Sequence, residues 1–402
     1  MKLAILGGSF NPVHIGHLFL ADAVLADLGY DRVILVPAFQ SPFKTGAEGA
    51  SPPDRMDMLA ASIPGDPRLT IEDCEICREG ISYTVDTLKD IIARYEPGGK
   101  PGLILGNDLA STFHKWRNPD EIAELADIII ARRLAEPEPP AFPYPYRALE
   151  NEIINISSQL IREKISRAGA WRYLVPSGAR YIIEERGLYG FSGLTDSKNA
   201  DDTGEKRTPA GLLESIIRIE NDVRVALSTS RFMHSRNTAI LSWDLCRRFG
   251  LDPQKGYLAG IAHDMCKNTG VDDLKHLAQG DGGGLSKMEQ AKTSLLHARA
   301  AAVLLRRKYG ITDKDVTEAI RYHTTGTRDM GALAKVVYIA DKIEITRTDV
   351  EPVLRKLSRS ADLDFLFSAV LDNTVAYLKS HQLDISYGTR RLLVAMNKRN
   401  KS

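Results

Sequence analysis

The sequence predicts two unlike domains: an α/β domain with a parallel sheet and flanking helices, followed by an all-α domain. Three observations lead to this prediction. Short apolar runs alternate with amphipathic segments up to about residue 190, a polar stretch follows, and only helical periodicity is found after it. The length of 402 residues agrees, since a typical domain has roughly 100–200 residues.

Six apolar runs bounded by Gly, Pro or Asp are predicted strands in the first part. They are LAIL (3–6), RVILVPAF (32–39), LTIEDCEI (69–76), GLILG (102–106), DIIIARR (127–133) and EIINIS (152–157). Segments with helical spacing lie between or after them: HLFLADAVLADLG (17–29), PDRMDMLAASI (53–63), TVDTLKDIIARY (84–95) and SQLIREKISRA (158–168). This alternation places ligands at the carboxyl ends of the strands.

The polar stretch is rich in Ser, Thr, Asp, Gly and Lys, which is typical of a flexible linker. We therefore predict domains at 1–190 and 210–402, joined by a linker at 191–209. Inside the second domain, the glycine-rich GDGGGLS segment (280–286) is predicted to be a flexible connection. A phosphate cradle is disfavoured there, because no strand precedes the glycines and no GK[ST] follows them.

The composition restricts the possible partners and the compartment. Lys and Arg number 53 against 52 Asp and Glu, so net charge gives no reason to expect a nucleic-acid polymer or a membrane surface as partner. No stretch approaches the ~20 apolar residues of a membrane span, and the first apolar run is too short for a signal peptide. We expect a cytoplasmic protein, and the sequence leaves homo-oligomer formation open.

Cysteine is sparse, and its one close pair is ambiguous. Cys74 and Cys77 form a CEIC pair, which could be half of a zinc site or a redox pair. No second close pair exists in the sequence, so reduced thiols are the preferred interpretation.

A candidate anion site follows the first strand, in GGSFNPVHIGHL (7–18). Gly7 and Gly8 allow a tight turn and close approach to a ligand. His14 and His17 share one face at the start of a helix, whose N-terminus adds N–H donors and partial positive charge, and Ser9 adds a hydroxyl. The alternative is an ordinary glycine turn before a helix that carries two surface histidines.

This string resembles the HxGH signature of the nucleotidylyltransferase superfamily, and in particular nicotinate mononucleotide adenylyltransferases. Further matching motifs are SPFK (41–44), SYTVDTL (82–88), LGNDLASTFHKW (105–116), ISSQLIR (156–162) and LVPSGARYIIEERGLY (174–189). The resemblance implies a Rossmann-like nucleotidylyltransferase domain that transfers AMP from ATP to nicotinate mononucleotide in NAD biosynthesis, with Mg²⁺. A pantetheine phosphate adenylyltransferase fits the length and the GNDL…W segment less well.

The resemblance also implies roles for individual residues. The implied catalytic residues are His14, His17, Lys44 and Arg162. The implied ATP-binding residues are Gly7, Gly8, Ser9, Phe10, Gly106, Asp108, Ile156, Ser157 and Ser158, and those for nicotinate mononucleotide are Tyr83, Thr84 and Trp116. Helix capping by Thr84 and Asp86, and a core role for Trp116, are the alternatives. Phe43 stands where the family usually has histidine before Lys44.

The second domain carries histidines and aspartates that suit first-row divalent metals. The candidate ligands are His234, His263, Asp264, His297, His323 and Asp341. Any one of them alone is more often a packed side chain, but a helical bundle could gather the whole set around two ions.

The order H…HD…H…H…D, with YHTTG and IADKIE, resembles HD-domain phosphohydrolases of the branch associated with symmetrical hydrolysis of diadenosine tetraphosphate to two ADP. The resemblance implies one metal on His234, His263, Asp264 and Asp341, with Asp264 bridging to a second on His297 and His323. Iron is favoured, with manganese or cobalt as substitutes. Lys267 and Arg328 are candidate phosphate contacts. Ile345 replaces a frequent proline.

The resulting hypothesis is a bifunctional enzyme. Two alternatives stay open for the second domain. It could be a nucleotide sensor that regulates the first domain without turnover, or a hydrolase of another nucleotide such as a nucleoside monophosphate or a guanosine polyphosphate. The metal ligands specify the chemistry and not the base.

Overall fold

The computed structural model describes residues 1–42, 49–132, 142–191, 212–348 and 350–399. The chain divides into two compact units, Met1–Glu205 and Lys206–Ser402. The linker predicted at 191–209 lies outside the described residues except for Phe191, so the domain boundaries stay a prediction.

The first unit is built on a six-stranded parallel sheet with the order β3-β2-β1-β4-β5-β6. Its strands are β1 (Leu3–Gly8), β2 (Arg32–Pro37), β3 (Leu69–Ile71), β4 (Gly102–Gly106), β5 (Asp127–Ala131) and β6 (Tyr146–Leu149). The strand order reverses between β1 and β4, and in such sheets ligands bind at this point, beyond the carboxyl ends of the strands.

Helices connect these strands. They are α1 (Ile15–Leu28), α2 (Pro52–Ser62), α3 (Cys74–Arg78), α4 (Thr84–Tyr95), α5 (Asn107–Ala110), α6 (Pro119–Leu125), α7 (Ser158–Ser166) and α8 (Ser177–Arg186). Short 3₁₀ turns occur at Phe113–Lys115 and Leu188–Gly190. The predicted α/β class with a parallel sheet is confirmed.

One predicted strand is too long and another is wrong. In LTIEDCEI the strand ends at Ile71, because the next residue, buried Glu72, pairs with Arg94 and Tyr95. Helix α3 then begins at Cys74. EIINIS (152–157) is not a strand; the sixth strand is β6, at residues 146–149. Three of its four residues are exposed, so this edge strand carries no apolar run that could reveal it.

The second unit is helical throughout residues 212–348 and 350–399, which confirms the predicted all-α architecture. Its helices are α9 (Leu212–Ala226), α10 (Thr229–Arg248), α11 (Pro253–Ala262), α12 (Val271–Gln279), α13 (Lys287–Ala291), α14 (His297–Tyr309), α15 (Lys314–Tyr322), α16 (Ala332–Ile343), α17 (Pro352–Ser360), α18 (Leu363–Ser380) and α19 (Tyr387–Arg399). A 3₁₀ turn at Thr293–Leu296 precedes α14. In the described ranges of either unit, no helix has the length and apolar character to cross a bilayer.

A buried charge network joins α9, α10 and α11. Arg236 Nε donates to Glu220 Oε1 at 3.1 Å, and Tyr257 Oη donates to Glu220 Oε2 at 2.8 Å. The side chains of Arg236 and Glu220 are 0% and 1% exposed. Each buried charge therefore has a hydrogen-bonded partner, as burial requires.

The glycine-rich segment 280–286 is held by an arginine, which differs from the flexible connection that the sequence predicts. Arg299 on α14 donates to the carbonyl oxygens of Gly283 and Gly284, and it pairs with Asp281 and Glu289. The buried guanidinium of Arg299 thus donates hydrogen bonds to the carbonyl oxygens of this loop.

Candidate active sites

The loop after β1 brings two histidine rings together at the start of α1. The ring centroids of His14 and His17 lie 3.6 Å apart, and Phe10 packs on His17 at 4.8 Å. The His14 backbone N–H donates to His17 Nδ1 at 3.2 Å, so the proton of a neutral His17 ring lies on Nε2. This nitrogen is therefore a donor suited to an anionic oxygen.

Gly16 makes this ring arrangement feasible. A Cβ atom at position 16 would lie 3.1 Å from His14 Nδ1 and 3.2 Å from its Cε1. His14 is 3% exposed, so its ring has little room to move away. Gly16, the glycine of the HxGH signature at residues 14–17, thus has a steric role next to the two imidazoles.

Three polar side chains fix the backbone of this loop from outside it. Arg55, buried on α2, donates through Nη1 to Ser9 O at 2.8 Å and to Ala38 O at 2.6 Å. Arg162 Nη1 on α7 donates to Asn11 O at 2.8 Å, and Ser158 Oγ donates to Pro12 O at 2.9 Å. Two predicted residues, Arg162 and Ser158, therefore lie directly against the histidine loop.

The remaining predicted nucleotide residues lie at strand and helix ends. Gly7 and Gly8 end β1, and a Cβ at Gly8 would contact the fully buried ring of Phe10. Gly106 ends β4 and Asp108 stands in α5 directly after it, at the same edge of the sheet as the end of β1. Preceding α7, Ile156 lies in a tight turn and Ser157 caps the helix, accepting from Leu160 N at 3.1 Å.

Near the predicted residues Tyr83, Thr84 and Trp116 lies Arg117, a residue that sequence reasoning missed. The Arg117 guanidinium lies over the Tyr83 ring at 4.7 Å and 3.5 Å from Asp86, while Trp116 packs against Phe113 at 5.2 Å. Tyr83 precedes α4 and no side-chain cap is formed there, which disfavours the capping alternative for Thr84. Phe43 and Lys44 lie outside the described residues.

In the second unit, the six predicted metal ligands converge from five helices and their ends: α10, α11, α14, α15 and α16. His234 Nε2 lies 3.1 Å from Asp341 Oδ1, and His297 Nε2 lies 3.0 Å from Asp264 Oδ1. His263 Nε2 lies 3.7 Å from Asp341 Oδ1 and 3.9 Å from Asp264 Oδ2, and His323 Nε2 lies 3.7 Å from Asp264 Oδ1. Two groups of three ligand atoms are compact enough for one ion each: His234, His263 and Asp341, and His263, Asp264 and His323.

All four histidines are oriented in the same way. Nδ1 of His263, His297 and His323 bonds the carbonyl oxygen three residues earlier, at 2.7, 2.6 and 2.7 Å. Nδ1 of His234 instead lies 3.0 Å from Glu344 Oε1. Each Nδ1–H therefore donates outward and each Nε2 faces Asp264 or Asp341, which leaves Nε2 as the atom that would bind an ion, as is common around protein-bound metals.

The protonation states of the inner residues also suit metal ligands. Burial lowers the pKa of His263 to about 3, so this imidazole is neutral, and its buried Nε2 has no hydrogen-bond partner among the described residues. Burial would raise the pKa of Asp341, but Lys342 and His234 hold it well below its usual range. Burial lowers the pKa of His234, yet Asp341 and Glu344 outweigh this and raise it to about 9. Neutral imidazoles and ionised carboxylates are what divalent ions require, and at His234 an ion would displace a proton.

Lys267 and Arg328, the predicted phosphate contacts, occupy different places. Lys267 Nζ lies 3.3 Å from Asp264 Oδ1 and lines a cavity of about 540 Å³ at the ligand cluster. Arg328 is 61% exposed, lies 3.9 Å from Asp329 and is not among the residues that line this cavity. The structure thus brings Lys267 to the cluster and leaves Arg328 away from its lining.

Comparison with known proteins gives relatives for both units. The Cytidylyltransferase-like family model matches residues 5–164, and the HD domain model matches residues 231–346. The chain is 43% identical over 202 residues to a probable nicotinate-nucleotide adenylyltransferase of Treponema pallidum (strain Nichols), covering 47% of this chain and 99% of that protein. It is 36% identical over 214 residues to a protein of the same description from Geobacillus kaustophilus (strain HTA426), covering 52% and 96%.

The chain belongs to the nicotinate-nucleotide adenylyltransferase family. It joins this family's domain to a C-terminal HD domain. Among solved structures, it is similar to a predicted HD superfamily hydrolase involved in NAD metabolism from Clostridium acetobutylicum, with 28% identity, 45% of this chain and 96% of that chain covered, and a TM-score of 0.43.

Sequence reasoning missed several polar residues of this adenylyltransferase–HD chain. Arg55 holds the histidine loop, Glu344 orients His234, and Arg231 and Arg347 lie 3.8 Å from Asp264 and 2.9 Å from Asp341. For Arg231 and Arg347, proximity in sequence to the predicted ligands was the available signal. Arg55 stands in an ordinary amphipathic helix and offers no such signal.

In the first unit, Cys74 and Cys77 of the CEIC pair form no disulfide. Cys74 is buried and Cys77 is exposed. Burial raises the pKa of the Cys74 thiol to about 12, so this sulfur is protonated near neutral pH. Over the described ranges, both groups of side chains compact enough for a metal ion lie in the HD unit. These observations favour the reduced-thiol interpretation.

Proposed function

We propose that this chain is a bifunctional enzyme. Its first unit transfers AMP from ATP to nicotinate mononucleotide, giving nicotinate adenine dinucleotide and pyrophosphate. Its HD unit hydrolyses diadenosine tetraphosphate symmetrically to two ADP. The proposal is supported by the family membership and by the two arrays of imidazoles described above.

For the first reaction, the paired rings of His14 and His17 carry the argument. The attacking phosphate oxygen is already anionic near neutral pH, so catalysis reduces to positioning and to stabilising charge on the α-phosphate. His17 Nε2–H and the N-terminus of α1 are donors at this point. Arg55 and Arg162 fix the loop backbone, so the donors are in place before ATP binds.

Further residues complete the proposed adenylyltransferase site. Lys44 is proposed to contact the phosphates, and Ser157 and Ser158 lie at an N-terminus suited to the β- and γ-phosphates. Tyr83, which carries the Arg117 guanidinium over its ring, and Trp116 are proposed to hold the pyridine ring. Mg²⁺ would arrive on the nucleotide, since it is usually bound through substrate phosphates rather than a protein cage.

For the second reaction, the shared orientation of the four histidines carries the argument. His234, His263, Asp264 and Asp341 would hold one divalent ion, and His297 and His323 would hold a second, with the Asp264 carboxylate shared between the two. The ions would supply an activated water and neutralise charge on the leaving phosphate. We propose iron, with manganese or cobalt as substitutes, because the ligand set mixes imidazole and carboxylate. Lys267, which lines the cavity, is proposed to contact a phosphate.

Two single substitutions in the full-length protein test this division of labour. His17→Ala should abolish dinucleotide formation and leave ADP release from diadenosine tetraphosphate unchanged. Asp264→Asn should do the reverse, because it removes a buried ligand of the metal centre only. Both products are measured by chromatography with magnesium for the first assay and manganese or iron for the second.

The exposed His276 on α12 provides a matched control, and His276→Ala should retain both activities. Loss of both activities from either test variant, with the fold intact by circular dichroism, would contradict two independent sites. Tight nucleotide binding by the metal-loaded wild type without ADP release would instead favour the sensor alternative.

A further inference from the structure

The cavity at the HD ligand cluster is lined by four side-chain cations. Its volume is about 540 Å³, and its lining includes Arg231, Lys267, Lys342 and Arg347 together with the carboxylates of Asp264, Asp341 and Glu344. Arg231 lies on α10, Lys267 follows α11, Lys342 lies on α16 and Arg347 follows α16. The cations thus come from separate segments of the chain.

These cations form two pairs, one at each buried aspartate. On the first, Arg231 Nη1 lies 3.8 Å from Asp264 Oδ2 and Lys267 Nζ lies 3.3 Å from Asp264 Oδ1. At the second aspartate, Arg347 Nη2 lies 2.9 Å from Asp341 Oδ1, and Lys342 pairs with Asp341 Oδ2.

His263 lies close to both of the aspartates that carry these pairs. Its Nε2 lies 3.9 Å from Asp264 and 3.7 Å from Asp341, and it belongs to both groups of potential metal ligands. The two cation pairs therefore contact the two different aspartates that neighbour His263.

The cations face the cavity, whereas the carboxylates lie beneath them. The side chains of Asp264 and Asp341 are 5% and 6% exposed, while Arg231 and Arg347 are 47% and 45% exposed. Divalent ions on the two aspartates would neutralise those carboxylates. The four cations would then surround the metals with excess positive charge, which a multiply charged anion can balance.

We infer that the pair Arg231 and Lys267 and the pair Lys342 and Arg347 are two phosphate subsites, one beside each aspartate of the metal centre. The inference rests on the proposed hydrolase function and deepens it. A chain of several phosphates reaches both subsites, whereas a nucleoside monophosphate reaches one. The cavity therefore selects substrates that carry phosphate on both sides of the bond to be broken.

The test compares Arg231→Ala, Arg347→Ala and the double variant in the full-length, manganese-loaded protein. Losing a charge-assisted hydrogen bond should raise KM for diadenosine tetraphosphate about tenfold or more in each single variant. The two effects should multiply in the double variant, because the residues contact different aspartates. Activity on a nucleoside monophosphate, where measurable, should fall in one single variant at most.

Arg307→Ala is the matched control, because this exposed arginine on α14 does not line the cavity. Its KM should stay within about twofold of the wild-type value. An equal change in KM for Arg307→Ala and the two test variants would overturn the two subsites. A loss of manganese from the test variants that accounts for their weaker binding would overturn them as well.

A binding measurement separates this inference from the proposed function. A methylene-bridged analogue of diadenosine tetraphosphate is titrated into each metal-loaded protein by calorimetry. Weaker analogue binding by both test variants would support the subsites even if wild-type protein released no ADP, in which case only the proposed hydrolysis would fail. ADP release by wild type, with analogue affinity unchanged in both variants, would retain the hydrolase and overturn the subsites.

Discussion

At the residue scale, the adenylyltransferase site requires residue 16 to be a glycine, because a side chain there would crowd a catalytic histidine. Gly16 stands between two histidines whose rings lie 3.6 Å apart, and a methyl group there would lie 3.1 Å from His14 Nδ1. A separation this short forces one group to shift. The buried ring of His14 is confined, so the shift changes the geometry of the imidazole pair.

We therefore predict that Gly16→Ala lowers kcat for dinucleotide formation by about 10- to 100-fold, the cost of misplacing a catalytic group by up to an ångström. ADP release by the HD unit should not change. Steady-state assays of both reactions on the same preparation check this.

Gly99→Ala is the control for Gly16→Ala, because a Cβ at this exposed position meets no atom within 4 Å. A wild-type rate in Gly16→Ala would show that the crowding is relieved without moving His14. It would remove the steric explanation for the glycine.

The residue types of both sites could be predicted from the sequence because metal ligands and phosphate-binding loops use few residue types at fixed spacings. Their supports could not be predicted in the same way. Arg55 hydrogen-bonds backbone carbonyls, which any residue type can present, so nothing in the sequence marks its partners. Arg117 lies over the ring of Tyr83, which stands 34 residues earlier in the chain, and local sequence does not reveal such a contact.

At the element scale, α19 supports the turn that carries His323. Thr389 Oγ1 donates to Thr325 O at 2.7 Å, and Ser386 Oγ lies 3.4 Å from the same oxygen. Gly388 lets the helix approach this turn closely, since a Cβ there would lie 2.6 Å from Gly326 O. Helix and turn are in direct contact, and His323 and Thr324 precede that contact by one or two residues.

We predict that Gly388→Ala destabilises the HD unit by about 1–3 kcal/mol, the usual cost of overpacking. It should lower ADP release more than dinucleotide formation, because the displaced turn carries a metal ligand. Thermal unfolding and both assays measure the effect.

Gly284→Ala is its control, since this exposed glycine faces open space. Unchanged ADP release and unfolding temperature in Gly388→Ala would mean that α19 does not support the turn.

The errors in predicted elements have a common physical origin. The run LTIEDCEI has strand-like residues beyond Ile71, but the buried pairing of Glu72 with Arg94 and Tyr95 is a tertiary interaction that local sequence does not reveal. Strand β6 was missed because an exposed edge strand needs no apolar face. The central strands β1, β2 and β4 are buried and could be predicted from their apolar runs.

At the scale of the whole molecule, two compact units should fail independently under stress. The buried network of Glu220, Arg236 and Tyr257 lies entirely within the HD unit and joins its first three helices. Removing one partner leaves a buried charge without compensation, which typically costs about 3–5 kcal/mol.

We predict that Glu220→Ala lowers the urea midpoint for loss of ADP release and leaves the midpoint for dinucleotide formation unchanged. The double variant Glu220→Leu with Arg236→Met should recover much of the lost stability, because no charge is then left buried. Activities after incubation in graded urea report each unit separately.

Asp372→Ala, at an exposed position on α18, is the control and should leave both midpoints unchanged. Parallel loss of both activities in Glu220→Ala would show that the two units unfold as one.

Because of the position of α19 in the chain, the structural parts of the two units become available at different times during synthesis. The sheet of the first unit has all its strands once residue 149 is made, whereas Thr389, which supports the turn beside the metal centre, comes about 240 residues later. At ~5–20 residues per second, this interval lasts roughly 10 to 50 seconds. A growing chain can therefore assemble its nucleotide-binding sheet while the support of its second centre has not yet been translated.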